Sequence, residues 1–291
     1  MTAARVAAVI VNYNRADDTI RAVRSLARLT TPVDAIVVDN GSGDGSAAVI
    51  RAACPEATVL ETEQNFGFGG GNNRGIERAA EDGADYVLLL NNDAEVVEPG
   101  FVDELVRVLE EDRGAGVAAP LILFPDGSAQ PTVGRRPSFR YAVRLALDRR
   151  LHGGAAIVHE RRRVEFVNAV CMLVRTDVFR RVGGFDERYF MYGEEADLEQ
   201  RIVDAGYSLE YVPIRSIVHH HQEVSYDPAA QLQMRRNFIR FCFDHNGAVS
   251  GVLTACWFML AAIARDAAGR RWSEAPALGR ALRGIGGGRG A

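Results

Sequence analysis

Asp85-Tyr86-Val87-Leu88-Leu89-Leu90-Asn91-Asn92-Asp93-Ala94-Glu95-Val96-Val97 is the stretch around which the rest of the chain is organised. Tyr86 to Leu90 is an unbroken apolar run without alternation, the pattern of a strand covered on both faces of a sheet. It stops abruptly at two amides and a carboxylate. A buried strand that runs straight into Asn91, Asn92 and Asp93 delivers them to the carboxyl edge of the sheet, where open α/β folds place their ligands. Asp93 is therefore the expected centre of a site. Asn and Asp also form turns readily, so the flanking segments must decide.

Upstream, the same pattern occurs twice. Val6 to Val11 is a short apolar run closed by Asn12-Tyr13-Asn14-Arg15, and Asp17 or Asp18 stands where a helix cap is needed. Ala35 to Val38 stops at Asp39-Asn40-Gly41-Ser42. Ser46 to Ala53 reads as a helix and Thr58 to Glu61 as a third strand. Asn65 to Gly75 then carries five glycines between positions 67 and 75, which predicts a loop offering free N–H groups to phosphate before a helix over Ile76 to Ala80. The strict dinucleotide spacing fails, because Asn72 stands where a third glycine is required. A nicotinamide-dependent enzyme is disfavoured on that ground. Alternating strands and helices predict a mostly parallel sheet with helices on both faces.

Downstream, Pro99 opens a helix through Leu109, and Gly116 to Leu123 is again apolar. Asp126 to Arg163 is rich in arginine and punctuated by Pro131, Gly134 and Pro137, the composition of a mobile loop or lid. Val164 to Val174 returns to strand character. Phe190-Met191-Tyr192-Gly193-Glu194-Glu195-Ala196-Asp197-Leu198 is the densest acidic cluster, at the start of an amphipathic helix. The helix dipole alone favours acids there, yet the two aromatics just before them suit carboxylates partly desolvated beside a substrate. Tyr207 to Val212 reads as a strand, and after Pro213 the run Ile217-Val218 ends in His219-His220-His221, where a histidine either ligates a metal or satisfies a local hydrogen bond.

From about Asp227 the tail is helical in composition. Gly251 to Ala264 is almost wholly apolar and is followed by arginines at 265, 270 and 271. Peripheral contact with an anionic membrane surface and packing of a homodimer are the two readings of that run. Ile285 to Ala291 reads as disordered. With 47% hydrophobic and 25% charged residues in 291, the chain can bury a large core, and a net charge of −4 argues against nucleic acid as a partner. Cys54, Cys171, Cys242 and Cys256 lie far apart, which excludes a zinc ribbon or disulfide scaffold. Met1 to Arg5 lead straight into the first apolar run without a secretory leader, so the expected compartment is the cytosol, at the inner face of the cell membrane.

Taken in register, Val11-Asn12-Tyr13-Asn14, Val38-Asp39-Asn40-Gly41-Ser42, Asn65-Phe66-Gly67-Phe68 with Asn73-Arg74-Gly75, Leu90-Asn91-Asn92-Asp93, and Gly184-Phe185-Asp186 with Gly193 to Leu198 resemble family 2 glycosyltransferases, most closely the rhamnosyltransferase-like branch. The resemblance spans roughly residues 5 to 240. It implies a GT-A fold over 1–226, a Rossmann-like, mixed but mostly parallel sheet flanked by helices, with 227–291 as a helical appendage. It also implies a nucleotide-diphosphate sugar donor (dTDP- or UDP-linked), a glycan or lipid-linked glycan acceptor, a divalent cation (Mg²⁺ or Mn²⁺) and inversion at the anomeric carbon. By position, Asn12, Tyr13 and Asp39 would line the nucleoside pocket. Asn65, Gly67, Phe68, Asn73 and Asn92 would flank the nucleotide and its phosphates. Asp93 matches the last acid of the family's metal-binding Asp-x-Asp motif, with Asn91 in place of the first; His219, or His220 one step on, matches the family histidine. Glu195 stands where the family carries its general base, with Glu194 and Asp197 as alternatives. The Asn91 and Glu195 departures also admit a sugar-nucleotide-binding scaffold without catalysis.

Overall fold

The computed structural model describes residues 4–147, 157–220, 227–267, 274–283 and 285. Its first ninety residues alternate strand and helix as the periodicity predicts: β1 (Val6–Asn12), α1 (Ala16–Ser25), β2 (Val33–Asp39), α2 (Ser46–Ala53), β3 (Thr58–Glu61), α3 (Gly67–Glu81) and β4 (Tyr86–Leu90). β1 lies between β2 and β4, parallel to both, in a register that sets Asn12 level with Asp39 and Val9 level with Leu89. Val9, Ile10, Val37, Val38, Leu88 and Leu89 are fully buried. Their apolar runs are continuous because helices cover both faces of these strands.

The chain continues through β5 (Ala94–Val96), α4 (Phe101–Glu111), β6 (Ala115–Leu123), β7 (Val133–Gly134), α5 (Phe139–Leu147), β8 (Arg162–Val164), β9 (Phe166–Val167), β10 (Cys171–Arg175), α6 (Thr176–Arg181), α7 (Glu194–Asp204), β11 (Ser208–His219), α8 (Pro228–Ala267) and α9 (Glu274–Ala281). The main sheet has nine strands in the order β3-β2-β1-β4-β10-β6-β11-β5, with β8 pairing on β11. β10, β5 and β8 run antiparallel to their neighbours and the others run parallel. α1, α2 and α4 bury Val23, Ile50, Phe101 and Leu105 on one face. α3, α6 and α7 bury Ile76, Phe179, Leu198 and Ile202 on the other. The sheet is mixed and mostly parallel, as expected.

Four local expectations are corrected. The glycine-rich segment is the first half of α3 and not a loop. A Cβ on Gly75 would lie 2.4 Å from Val9 Cγ1, and one on Gly71 would lie 2.8 Å from Val11 Cγ1. Missing side chains let this helix lie directly on β1, so packing overrides the low helix propensity of glycine. Neither Asp17 nor Asp18 caps α1; Arg15 holds the cap position and both acids sit in the first turn. The described part of 126–163 is anchored, since β7 pairs with β9 and Tyr141 of α5 stacks on Phe238 of α8; residues 148–156 lie outside the described residues. The two runs on either side of Pro213 belong to one strand, β11 (Ser208–His219), with register shifts around Pro213. His221 and 286–291 also lie outside the described residues.

Candidate functional site

The carboxyl ends of β1, β2 and β4 are joined by polar side chains. Asn12 Nδ2 donates to Asp39 Oδ2 at 2.7 Å and approaches Ser42 Oγ at 3.2 Å. The Ser42 amide donates to Asp39 Oδ1 at 3.0 Å. Each carboxylate oxygen of Asp39 thus holds one protein donor and keeps accepting capacity for a ligand. Asn14, at φ 53°, donates its amide to Ser42 Oγ and accepts from the Gly43 amide. Tyr13 between them is 47% exposed, which leaves an aromatic face open beside Asp39.

Thr19 connects this corner to the strand that ends at Asp93. Its hydroxyl donates to Asn12 Oδ1 at 2.7 Å and lies 3.3 Å from Asn92 Nδ2. One residue on, Asp93 Oδ1 and His219 Nε2 approach to 3.1 Å. Asp93 Oδ1 and Asn91 Oδ1 are nevertheless buried without an aligned hydrogen bond. His219 Nδ1 faces Gln130 Oε1 at 3.2 Å. With Nδ1 turned to Gln130, Nε2 is the ring atom that faces the carboxylate. A carboxylate oxygen and an imidazole nitrogen held by an outer hydrogen bond form a donor pair that fits a divalent cation, and the unpartnered Asn91 Oδ1 stands two residues before Asp93. His220 is directed elsewhere, its Nε2 3.0 Å from Glu95 Oε2. Burial pushes the Glu95 carboxyl up, and hydrogen bonds from His220 and Arg28 more than reverse it.

The acidic helix α7 is reached through a strained loop. Phe190 and Tyr192 have φ of 60° and 70°, followed by Gly193 at 92°. Bulky residues rarely adopt this conformation, and it persists only where the surroundings enforce it. On one side the Phe68 amide donates to the Phe190 carbonyl at 2.8 Å. A Cβ on Gly67 would lie 2.0 Å from that same oxygen, and Gly67 itself has φ 76°, so only glycine fits. On the other side Asn237 of α8, 1% exposed, places Nδ2 at 2.8, 2.9 and 2.7 Å from the carbonyls of Tyr189, Met191 and Tyr192. Asn40 completes the link to β2, donating to Asn65 Oδ1 and to the Gly67 carbonyl.

Behind this loop Glu194 is buried, with Oε2 lacking a hydrogen-bond partner. Glu195 is partly exposed and accepts from the Gly193 amide at 3.0 Å. Burial, and then the Glu195 charge, push the Glu194 carboxyl well up; burial raises Glu195. Glu199, one turn on and fully buried, accepts from the Val167 amide. Burial, and then Glu195, raise its carboxyl too. Three residues beyond Val167, the Val170 carbonyl accepts from the Asn91 amide at 2.9 Å, which ties the acidic helix to the Asp93 segment.

Two predicted residues are committed to internal contacts. Asn73 donates to the Phe185 carbonyl at 3.0 Å and accepts from its amide at 2.8 Å. Asp197 is fully buried, 2.6 Å from Arg201 Nη2 and 2.7 Å from His245 Nε2. Burial pushes its carboxyl up, but the His245 hydrogen bond and the Arg201 guanidinium bring it below the ordinary value. Oxygens of Asp186, Asp197 and Asp244 lie within 4.8 Å of one another. Arg188 bridges Asp186 and Asp244 at 2.6 and 3.0 Å, so these acids form an ion network and need no metal to balance them. A cleft of about 630 Å³ beside Ile76, Glu77, Phe179 and Arg180 contains none of the candidate residues except Asn73. Sequence reasoning missed Thr19, Gln130 and Asn237. Thr19 is polar on the buried face of α1, a detectable signal; Gln130 and Asn237 lie in no motif, and only the folded chain brings them in.

The chain matches the family model described as glycosyl transferase family 2 over residues 7–183. A model described as the N-terminal domain of galactosyltransferase matches residues 149–223, which include the acidic helix. The chain is 35% identical over 260 residues to N-acetylglucosaminyl-diphospho-decaprenol L-rhamnosyltransferase of Mycobacterium tuberculosis, covering 82% of this chain and 84% of that protein. It is 31% identical over 175 residues to rhamnosyltransferase WbbL of Escherichia coli, covering 55% of this chain and 64% of that one. The mannosyltransferase PcManGT from Pyrobaculum calidifontis, solved with GDP-Man and Mn²⁺, superposes with a TM-score of 0.58 at 18% identity, over 96% of this chain and 74% of that one. The sheet order and flanking helices are those of a GT-A fold, and the chain belongs to glycosyl transferase family 2.

Proposed function

We propose that the chain moves a hexose, rhamnose first among the candidates, from a dTDP- or UDP-linked donor to a hydroxyl of a lipid-linked glycan, with inversion at the anomeric carbon. Residues 1–226 form the catalytic unit in this reading and 227–291 a helical appendage. Asp39, Asn12 and the exposed ring of Tyr13 would receive the nucleoside. Glu195 takes the proton of the acceptor hydroxyl while that oxygen bonds to the anomeric carbon. The bond from that carbon to the diphosphate breaks on the opposite face, and its electron pair leaves with the nucleoside diphosphate. A divalent cation held by Asp93 and His219, with Asn91 adjoining, would supply counter-charge to the departing diphosphate. Glu195 is preferred to Asp197, whose oxygens carry Arg201 and His245, and to Glu194, which is more deeply buried.

The observation that carries this reading is the facing pair of Asp93 Oδ1 and His219 Nε2, 3.1 Å apart and without an aligned hydrogen bond, on the sheet edge that also holds Asp39. The acceptor class follows from the relative whose name specifies a diphospho-decaprenol acceptor. The test incubates purified protein with dTDP- and UDP-sugars and a short-chain N-acetylglucosaminyl-diphospho-prenol, with and without Mn²⁺ or Mg²⁺. Transfer that needs the cation and inverts the anomeric configuration is expected. Retention of configuration, or full transfer in the presence of a chelator, would overturn it.

A further inference from the structure

α8 is 40 residues long but not one rod: Gly247, at φ 84° and ψ 164°, breaks it. The second half, 248–267, folds back on the first. Phe258 meets Phe238 edge-on at 5.5 Å, and Ala262 shares a core with Ile239 and with Leu278 of α9. Gly251, Thr254, Ala262 and Asp266 are buried on this inner side. Val249, Val252, Leu253, Leu260 and Ile263 are 75%, 51%, 45%, 63% and 50% exposed. Cys256 is exposed as well. Spacings of three and four residues put these six on one stripe of one helix, about 21 Å long at 1.5 Å per residue.

We propose that this stripe seats on the surface of a bilayer containing anionic lipid, with the helix axis in the plane of the interface. The inference deepens the lipid-linked acceptor reading above, and rests on it for its purpose. By length and composition the 228–264 segment is apolar enough to cross a membrane. Crossing would strip the inner side of 248–267 from Ile239 and Leu278, so lying flat costs less. Charge selects the occupant. By sequence, residues 248–285 carry five arginines, at 265, 270, 271, 280 and 283, against two acids, Asp266 and Glu274, in a chain of net charge −4. Asp266 is turned inward to the Ala275 amide, while Arg280 and Arg283 are exposed. Anionic headgroups complement a segment of this positive charge. A second copy would bring a segment of the same positive charge against this one.

The test is flotation of the full chain with vesicles of phosphatidylglycerol and phosphatidylcholine in equal amounts, and with phosphatidylcholine alone. A thiol-reactive, polarity-sensitive fluorophore on exposed Cys256 reports insertion, since Cys54, Cys171 and Cys242 are buried. Flotation with the anionic vesicles, a blue shift of the label and about a tenfold or greater loss of partitioning in Leu253→Glu/Leu260→Glu are expected. The double variant should keep its donor-induced thermal shift, which checks its fold. A wild-type chain that stays in the soluble fraction overturns the proposal, as does flotation with an unshifted label. A double variant that turns a dimer into a monomer overturns it in favour of a second copy. Transfer to a water-soluble acceptor separates the two readings: transfer without flotation defeats this inference alone, and no transfer to any acceptor defeats the function proposed above.

Discussion

Asn237→Ala tests whether the loop before the acidic helix is held from α8. Asn237 Nδ2 has two hydrogens for three carbonyls at 2.7 to 2.9 Å, and its Oδ1 accepts from Gln233 at 3.1 Å. Removing the amide leaves buried acceptors unpaired at about 1–3 kcal/mol each. It also frees Phe190 and Tyr192, whose positive φ stores about 1–3 kcal/mol apiece. Part of that strain is released on relaxation, so the net loss of stability is expected at about 2–4 kcal/mol. Relaxation moves Glu194 and Glu195 away from the acceptor. A displacement of about 1 Å at a reacting group costs on the order of a hundredfold in rate. The expected result is a fall in kcat of about ten- to a hundredfold with little change in donor KM, because the Asp39 corner is tied separately to Asn12 and Ser42. Urea unfolding and steady-state transfer give the two readouts. Unchanged kcat in a destabilised variant would refute the positioning argument, and unchanged stability would refute the clamp.

Glu195→Gln should lower transfer by about 10²–10⁴-fold while donor-induced thermal stabilisation persists; wild-type turnover would remove Glu195 from the role. In the wild type, transfer should fall on acidification through a value above the ordinary 4.5, because burial raises this carboxyl and the base must be ionised; a pH–rate profile flat down to 4.5 would contradict it. Glu199→Gln should gain stability relative to wild type as pH rises above 4.5, since a carboxyl raised in the fold holds its proton there after the unfolded chain has released its own; denaturation midpoints at pH 5 and pH 8 decide, and a gap that does not widen at the higher pH would count against it. His219→Ala should abolish the Mn²⁺-dependent part of donor stabilisation and His220→Ala should keep it, read as melting temperatures with and without the cation; equal effects would show that the ring facing Glu95 matters as much as the one facing Asp93.

Much of the sheet was legible because its strands are buried on both faces, and Val6–Val11 and Tyr86–Leu90 announce that by continuous apolar runs. The polar groups that end them, Asn12, Asp39 and Asp93, were legible for the same reason, since an abrupt end to such a run marks the sheet's edge. Glycines misled. At 67–75 they signal loop by local preference, yet Gly71 and Gly75 serve a helix pressed against Val11 and Val9. The alternatives left open at 194–197 and 219–220 turned on direction. His219 ends β11 and His220 follows it, and the two rings turn to different carboxylates, His219 to Asp93 and His220 to Glu95. Asp197 stood as an alternative to Glu195, and its contact with His245, 48 residues along the chain, belongs to no local pattern.

That late arrival bears on how the protein is made. A ribosome releases the strands and the acidic helix well before α8, so a nascent chain already carrying Asp197 lacks His245, and the carbonyls of Tyr189, Met191 and Tyr192 lack Asn237. A transcript truncated before position 237 therefore yields a polypeptide whose sheet can form while its acidic corner stays open. The acidic corner is thus set late, and α8, which emerges after it, serves as its latch.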